Sequence, residues 1–161
     1  MRTFLIKLAP FFGVGRLPYG PGTWGTLVSV PLAAGLIWLG PLWHMLATLL
    51  LFPLSVLAAQ YYCQDCGVHD ASEVVIDEVL GFLVAMVMVP LTWQCLLAGF
   101  ILFRFFDILK PFPISYIDRK VTGGAGVILD DVVAGLIVNI ILQLLVFQTN
   151  WLGTQIITIS V

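Results

Sequence analysis

Every lysine, arginine, aspartate and glutamate of this chain lies in one of four short stretches, and the apolar segments between them contain none. Only 10% of the 161 residues are charged and 60% are hydrophobic, whereas a soluble domain has about 25% charged residues. A water-facing surface could not be assembled from this composition, so the chain is predicted to be embedded in a membrane. The charged stretches are residues 2–16, 65–78, 104–120 and 130–131.

Five apolar segments are candidate membrane helices. They predict an all-α, polytopic helical membrane protein with about four to five membrane-embedded helices in one bundle. Most are slightly shorter than the roughly 20 residues that a crossing needs. The third is broken at Pro90, and an alternative interpretation pairs it with the fourth as a re-entrant hairpin. No linker divides the chain, so residues 1–161 are predicted to form a single integral-membrane domain. The segments are residues 23–39, 42–61, 74–89, 92–109 and 131–147.

The charge distribution also predicts the orientation. Successive charged stretches are separated by an even number of crossings in both interpretations of the third segment, so all four should share one boundary. Basic residues are retained on the cytoplasmic side, and all seven lie in these stretches, so this boundary and the N-terminus are predicted to face the cytoplasm. The net charge of −2 excludes a strong nucleic-acid footprint. The expected partners are lipids or membrane proteins, and the oligomeric state stays open.

The opening segment is predicted to lie along the membrane interface. It does not resemble a cleaved signal, because Lys7 and Pro10 interrupt its apolar run and no small-residue cleavage site follows. The side chains expected to dip into lipid are Phe4, Leu5, Phe11 and Phe12.

A stripe of alternating charge follows the fourth segment. Arg104, Asp107 and Lys110 are three residues apart, which predicts one broad stripe on a helix that Pro111 terminates. An ion-paired helix end at the lipid boundary would explain this stripe without any function. Two cations beside a carboxylate would equally suit a phosphate group bridged to a metal.

Two further acidic clusters lie near helix ends. Adjacent helical residues diverge by about 100°, so only one of Asp77 and Glu78 is expected to face the bundle core. Asp130 and Asp131 stand at the predicted start of the last helix, where one aspartate would serve as an N-cap, but two exceed that need. Carboxylates at the ends of three helices are what a hard divalent ion such as Mg²⁺ requires.

A glycine-rich turn precedes the first apolar segment, with the sequence Tyr19-Gly20-Pro21-Gly22-Thr23-Trp24-Gly25-Thr26. The free N–H groups of a new helix, together with threonine hydroxyls, would form a phosphate cradle. A turn that ends in a threonine N-cap is equally expected without a ligand.

These motifs together resemble the phosphatidylglycerophosphatase A family of bacterial membrane lipid phosphatases, over about residues 13–135. One departure is Thr26, where a serine is expected and a hydroxyl is kept. The segments that carry the resemblance are Pro21 to Thr26, Gly67-Val68-His69-Asp70, Ile76-Asp77-Glu78, Phe103-Arg104 through Asp107 to Lys110-Pro111, Pro113-Ile114, Asp118-Arg119, Gly123-Gly124-Ala125-Gly126, and Asp130 to Gly135.

The resemblance implies Mg²⁺-dependent hydrolysis of phosphatidylglycerophosphate to phosphatidylglycerol and inorganic phosphate, at the cytoplasmic face of the bacterial inner membrane. Lys110 is expected to act in catalysis with Arg104, by neutralising phosphate charge. One of the carboxylates is expected to orient or deprotonate the attacking water. The candidate Mg²⁺ ligands and catalytic carboxylates are Asp77, Glu78, Asp107, Asp130 and Asp131. The candidate substrate-binding residues are Gly22, Thr23, Thr26, His69, Asp70, Arg104 and Arg119.

Three alternative interpretations explain the sequence less well. Cys63, Cys66 and His69 would give zinc only three ligands, so an ordinary helix end is preferred there. A transporter would need ionisable groups along the crossing. The halves of the apolar segments that face the uncharged boundary (the far halves) contain only His44, Asn139 and Gln143 as notable polar residues. A structural subunit that docks a partner would not require three acidic clusters and two glycine-rich turns.

Overall fold

The computed structural model describes residues 2–67, 71–149 and 152, and all regular secondary structure in this part of the chain is helical, as predicted. A short 3₁₀ segment, Phe11–Arg16, follows the first helix. The α-helices are α1 Arg2–Leu8, α2 Pro21–Leu39, α3 Pro41–Cys66, α4 Ile76–Ala85, α5 Trp93–Leu109, α6 Ile114–Lys120 and α7 Gly124–Gln148.

Three of these helices, α2, α3 and α7, are long and apolar enough to cross a membrane. The fourth predicted segment forms α5, which has 17 residues. The third forms only the 10-residue α4, which is about 15 Å long and covers half of a bilayer core. Residues 86–92 continue without helical structure as far as Thr92, whose hydroxyl donates to the Leu152 carbonyl at 2.7 Å, beyond the end of α7.

Helix α4 packs between helices that are long enough to cross a membrane but is too short to cross one itself. Its end is therefore expected to lie in the apolar layer, where water cannot satisfy the free carbonyl groups of a helix terminus. Side chains from α3 and α7 satisfy them instead. The His44 ring lies 3.0 Å from the Leu83 carbonyl oxygen. The Asn139 amide donates to the carbonyls of Ala85 at 3.0 Å and Val87 at 2.7 Å. The Gln143 amide donates to the Val87 carbonyl at 3.2 Å. The polar residues of the far halves therefore have a structural role.

The centre of the bundle is α4, which contacts α2, α3, α5 and α7 and packs most extensively on α7. Glycines allow this approach. A Cβ at Gly135 would lie 2.2 Å from the Gly81 carbonyl oxygen, and a Cβ at Gly81 would lie 2.7 Å from the Asp131 carbonyl oxygen. Small residues let helix backbones approach closely inside membranes, and here they bring the first turns of α4 next to Asp131.

Ion pairs join each charged stretch to the next, so all four stretches lie at one end of the bundle, as predicted. The pairs that link different stretches are Arg2–Asp65 at 3.5 Å, Arg16–Glu73 at 3.4 Å, Arg104–Glu78 at 3.8 Å and Lys110–Asp130 at 2.7 Å.

The N-terminal arm differs from its prediction at Leu5, which lies in the protein core and not in lipid. Its exposed fraction is 1%, whereas Phe4 is 53% exposed. The arm also ties down the chain before α4, because the Ala9 carbonyl accepts hydrogen bonds from the backbone N–H groups of Val75 at 3.0 Å and Ile76 at 3.1 Å.

Two predicted helix starts are wrong. Helix α2 begins at Pro21 with Gly20 as its N-cap, so Thr23 is not the cap. Helix α7 begins at Gly124, seven residues before the predicted start, so Asp130 and Asp131 lie within the helix and the N-cap interpretation fails. The glycine-rich run is helical because it packs on α3. A Cβ at Gly124 would lie 2.4 Å from the carbonyl oxygen of Val56.

Candidate active site

A cavity of about 380 Å³ opens at the charged end of the bundle, between α2, α4, α5, α6 and α7. Carboxylates outnumber cations on its wall by six to two, so the cavity has a strong excess of negative charge. The backbone of Gly20 and Gly22 and the loop residues Ala71 and Ser72 complete the polar part of the wall. The charged side chains on the wall are Asp77, Glu78, Asp107, Asp118, Asp130, Asp131, Arg104 and Lys110.

Three of these carboxylates form a compact acidic cluster. One oxygen each from Asp77, Glu78 and Asp131 lies within 4.8 Å of the other two. The prediction that only one of Asp77 and Glu78 faces the core is therefore wrong. Helix α4 is enclosed on all sides, so two neighbouring residues that diverge by about 100° can both face protein. Their position in the first turn of α4 brings both to the cavity at the helix end.

Arg104 lies at the centre of the acidic wall. Its guanidinium forms an ion pair with Asp107, one helical turn further on, and its Nη1 lies 3.8 Å from Glu78 Oε1. The Arg104 side chain is only 16% exposed, so this is not a snorkelling helix end. The prediction that Arg104 and Asp107 lie on one stripe of the helix is confirmed.

Lys110 departs from the predicted stripe. It is the residue after the end of α5 and has a left-handed backbone, with φ of 42°. Its side chain therefore does not continue the stripe formed by Arg104 and Asp107. Its Nζ donates to Asp118 Oδ1 at 2.5 Å and to Asp130 Oδ2 at 2.7 Å. Burial alone would lower the pKa of Lys110, but these hydrogen bonds and charges outweigh it and raise the pKa above its usual value.

Three buried polar atoms of residues that line the cavity have no hydrogen-bond partner within the described structure. They are Glu78 Oε2, Asp130 Oδ1 and Arg104 Nε. Buried polar atoms are nearly always paired in folded proteins, so these atoms are suited to bind a ligand. The acidic cluster offers only oxygen donors, which is the ligand set that Mg²⁺ prefers. The residues present therefore fit a hard divalent cation.

The predicted substrate-binding residues have different positions. Gly22 and Arg104 lie on the cavity wall. Thr23 and Arg119 are exposed and do not line it, and Thr26 is buried with its hydroxyl donating to the Gly22 carbonyl at 2.9 Å. This geometry does not support a phosphate contact by the Thr26 hydroxyl. His69 and Asp70 lie outside the described residues.

Asp118 lies on the cavity wall but had no predicted role. It stands next to Arg119, which is a predicted substrate-binding residue. Adjacent residues of a helix point about 100° apart, so only a three-dimensional structure shows which of them faces the site. Ser72, in the loop before α4, also lines the cavity, and no feature of the sequence singled it out.

Comparison with known proteins gives a consistent result. The sequence model of the family described as "Phosphatidylglycerophosphatase A" matches residues 7–146. The chain is 44% identical to "Phosphatidylglycerophosphatase A" of Haemophilus influenzae, over 80% of each chain, and 38% identical to the Escherichia coli protein of that name, over 81% of this chain and 76% of that one. It is also 36% identical to a "Putative phosphatidylinositol-3-phosphatase" of Bacteroides thetaiotaomicron, over 77% of this chain and 82% of that one. No solved structure matches significantly.

Gly22 tests the geometry of the acidic cluster. A Cβ at Gly22 would lie 2.0 Å from Glu78 Oε1 and 3.0 Å from Arg104 Nη1, so Gly22→Ala should displace the Glu78 carboxylate. We expect Mn²⁺ binding, measured by electron paramagnetic resonance on the purified protein, to weaken roughly tenfold or more. Gly35→Ala is the matched control in the same helix, because a Cβ there has no neighbour within 4 Å. Equal Mn²⁺ binding by both variants would contradict this geometry.

Proposed function

The chain belongs to the phosphatidylglycerophosphatase A family, and we propose that it hydrolyses phosphatidylglycerophosphate to phosphatidylglycerol and inorganic phosphate in the acidic cavity. The observation that carries this assignment of the site is the cluster of Asp77, Glu78 and Asp131 beside Arg104, at the charged end of a membrane bundle. A lipid phosphate lies at the membrane boundary, which is where such a cavity can reach it.

We propose Mg²⁺ as the cofactor, held by the carboxylates of Asp77, Glu78 and Asp131. When bound, Mg²⁺ would polarise a phosphoryl oxygen and lower the pKa of a coordinated water. The support comes from the oxygen-only donor set and from the unpartnered, buried Oε2 of Glu78. Without a cation, the mutual repulsion of these buried carboxylates would be costly.

The remaining charged residues have narrower roles than the sequence allowed. Asp107 is paired with Arg104, and Asp130 is paired with Lys110. We therefore assign both aspartates primarily to fixing the Arg104 and Lys110 side chains. Asp130 keeps one free, buried oxygen, Oδ1, which we propose accepts the proton of the attacking water. The water oxygen then bonds to phosphorus as the bond from phosphorus to the lipid oxygen breaks. The departing lipid oxygen takes a proton from solvent and becomes a hydroxyl of phosphatidylglycerol, while Asp130 releases its proton to solvent.

Arg104 is the proposed clamp for the terminal phosphate. Its Nη1 is engaged by Asp107 and Glu78, whereas its buried Nε has no partner within the described structure. An arginine held this way can donate to a phosphate oxygen without first being oriented, and its charge stabilises the transition state. Lys110 supplies a second positive charge on the same wall.

We further propose that the charged end faces the cytoplasm of a bacterial inner membrane, with the active site at that interface. The support is that all seven basic residues lie in stretches that the fold brings to this end. A transport function is disfavoured, because the polar side chains of the far halves are used to cap α4.

The exposed thiol of Cys66 tests this orientation, because it lies at the charged end while Cys95 is buried. In intact spheroplasts a membrane-impermeant maleimide should leave Cys66 unmodified, and it should label Cys66 once the membrane is opened. Labelling that is absent from the Cys66→Ser variant identifies the site. Strong labelling of Cys66 in intact spheroplasts would mean that the charged end faces outwards.

The proposed activity is tested by phosphate release from phosphatidylglycerophosphate in detergent. EDTA should abolish turnover and excess Mg²⁺ should restore it. Asp131→Asn, which removes one negative ligand at constant size, should lower kcat/KM by roughly 100-fold. The control is Asp65→Asn, an exposed carboxylate that pairs with Arg2 and should retain wild-type activity.

Two outcomes of this assay would overturn parts of the proposal. Full activity of Asp131→Asn, or full activity in EDTA, would remove the metal cluster from the mechanism.

Phosphatidylinositol 3-phosphate is the comparison substrate, because one relative bears a name that refers to that lipid. Faster hydrolysis of phosphatidylinositol 3-phosphate than of phosphatidylglycerophosphate would replace the proposed substrate.

A further inference from the structure

Lys110 is held between two carboxylates that come from different helices. Asp130 on α7 is almost completely buried, with its side chain 6% exposed, whereas the Asp118 side chain on α6 is 38% exposed. Both carboxylates lie on the wall of the cavity together with Lys110. The ammonium group has three N–H donors, and these two contacts, at 2.5 Å and 2.7 Å, use two of them.

Helix α6 provides a fixed position for Asp118. Ile114 at its start is fully buried, and the helix packs on α7. The chain just after α6 also lies against the start of α7, where a Cβ at Gly126 would lie 2.2 Å from the Val121 carbonyl oxygen. Asp118 is thus anchored by the packing of its own helix and does not depend on Lys110 for its location.

Lys110 itself has little else to fix it. A lysine side chain has a long, flexible stem and a point charge without preferred direction. Lys110 lies after the end of α5 and its side chain is 32% exposed. With Asp130 as its only partner, the ammonium could rotate about that ion pair and engage the free Oδ1 of Asp130, which would take it away from an incoming anion.

We propose that Asp118 is a positioning residue, which fixes the Lys110 ammonium against Asp130 so that its third N–H is directed to the phosphate of the substrate. This inference rests on the proposed phosphatase function. Asp118 acts through Lys110 and does not contact the reacting atoms. The role is new relative to the sequence prediction, which placed Arg119 at the site and left Asp118 without a role.

A double-mutant cycle with Asp118→Asn and Lys110→Gln tests this directly. Asp118→Asn alone should lower kcat/KM roughly tenfold, mainly by raising KM, because a binding contact loses its orientation. In the Lys110→Gln background the same change should alter kcat/KM by less than about twofold, since the group through which Asp118 acts is gone. Asp118→Glu, which keeps the charge, should recover part of the loss.

The controls separate positioning from a merely structural role. Asp65→Asn removes a carboxylate from an exposed ion pair at the same end of the bundle, and it should change neither KM nor the melting temperature. Asp118→Asn should also keep the wild-type melting temperature. A large fall in melting temperature, or an equally large loss of kcat/KM in the Lys110→Gln background, would overturn the positioning role.

Inorganic phosphate serves as a probe that does not depend on the identity of the lipid. We expect Asp118→Asn to weaken phosphate binding, measured by calorimetry on the wild-type and variant proteins, by the same factor as it raises KM. If the wild-type protein binds phosphate but does not hydrolyse phosphatidylglycerophosphate, the proposed substrate fails while the role of Asp118 is still measured. Unchanged phosphate affinity in Asp118→Asn would contradict the role itself.

Discussion

The close crossing of α4 and α7 is the constraint on which the rest of the structure depends. Gly81 and Gly135 leave no room for a side chain at the contact, so the backbones approach closely and the first turn of α4 lies beside Asp131. Three carboxylates are thereby held within 4.8 Å of one another in a largely apolar bundle. Such a cluster is unfavourable without a compensating positive charge, which is why we propose that the packing of these helices creates a cation site.

The half-length of α4 follows from the same arrangement. Its first turn lines the cavity, and the helix ends after 10 residues, so at about 15 Å it is too short to cross a bilayer core of about 30 Å. Broken helices are tolerated at such depth only where neighbouring groups satisfy the backbone. Asn139, Gln143 and His44 do so here. The far half of the bundle therefore supports the position of the acidic helix, while the ionic chemistry lies at the other end.

The sequence was sufficient to predict those features that depend on composition and segregation of charge. The confinement of charge to four stretches predicted an all-helical membrane protein with one charged end, and most of the carboxylates proposed for the site do line one cavity.

Features that depend on backbone packing could not be predicted. The glycine run before Asp130 has the composition of a loop, yet it is helical because Gly124 packs against α3. Leu5 has the sequence context of a lipid contact but is buried. The choice between Asp118 and Arg119 required the orientation of a seven-residue helix.

The central claim is that Asp77, Glu78 and Asp131 together bind a divalent cation next to Arg104. The most direct measurement is anomalous X-ray scattering from crystals of the protein soaked with Mn²⁺ as a substitute for Mg²⁺. The account predicts an anomalous peak at roughly 2.1–2.2 Å from oxygens of all three carboxylates. A cavity in which these carboxylates bind no Mn²⁺, with the ion located elsewhere on the protein or absent, would contradict it.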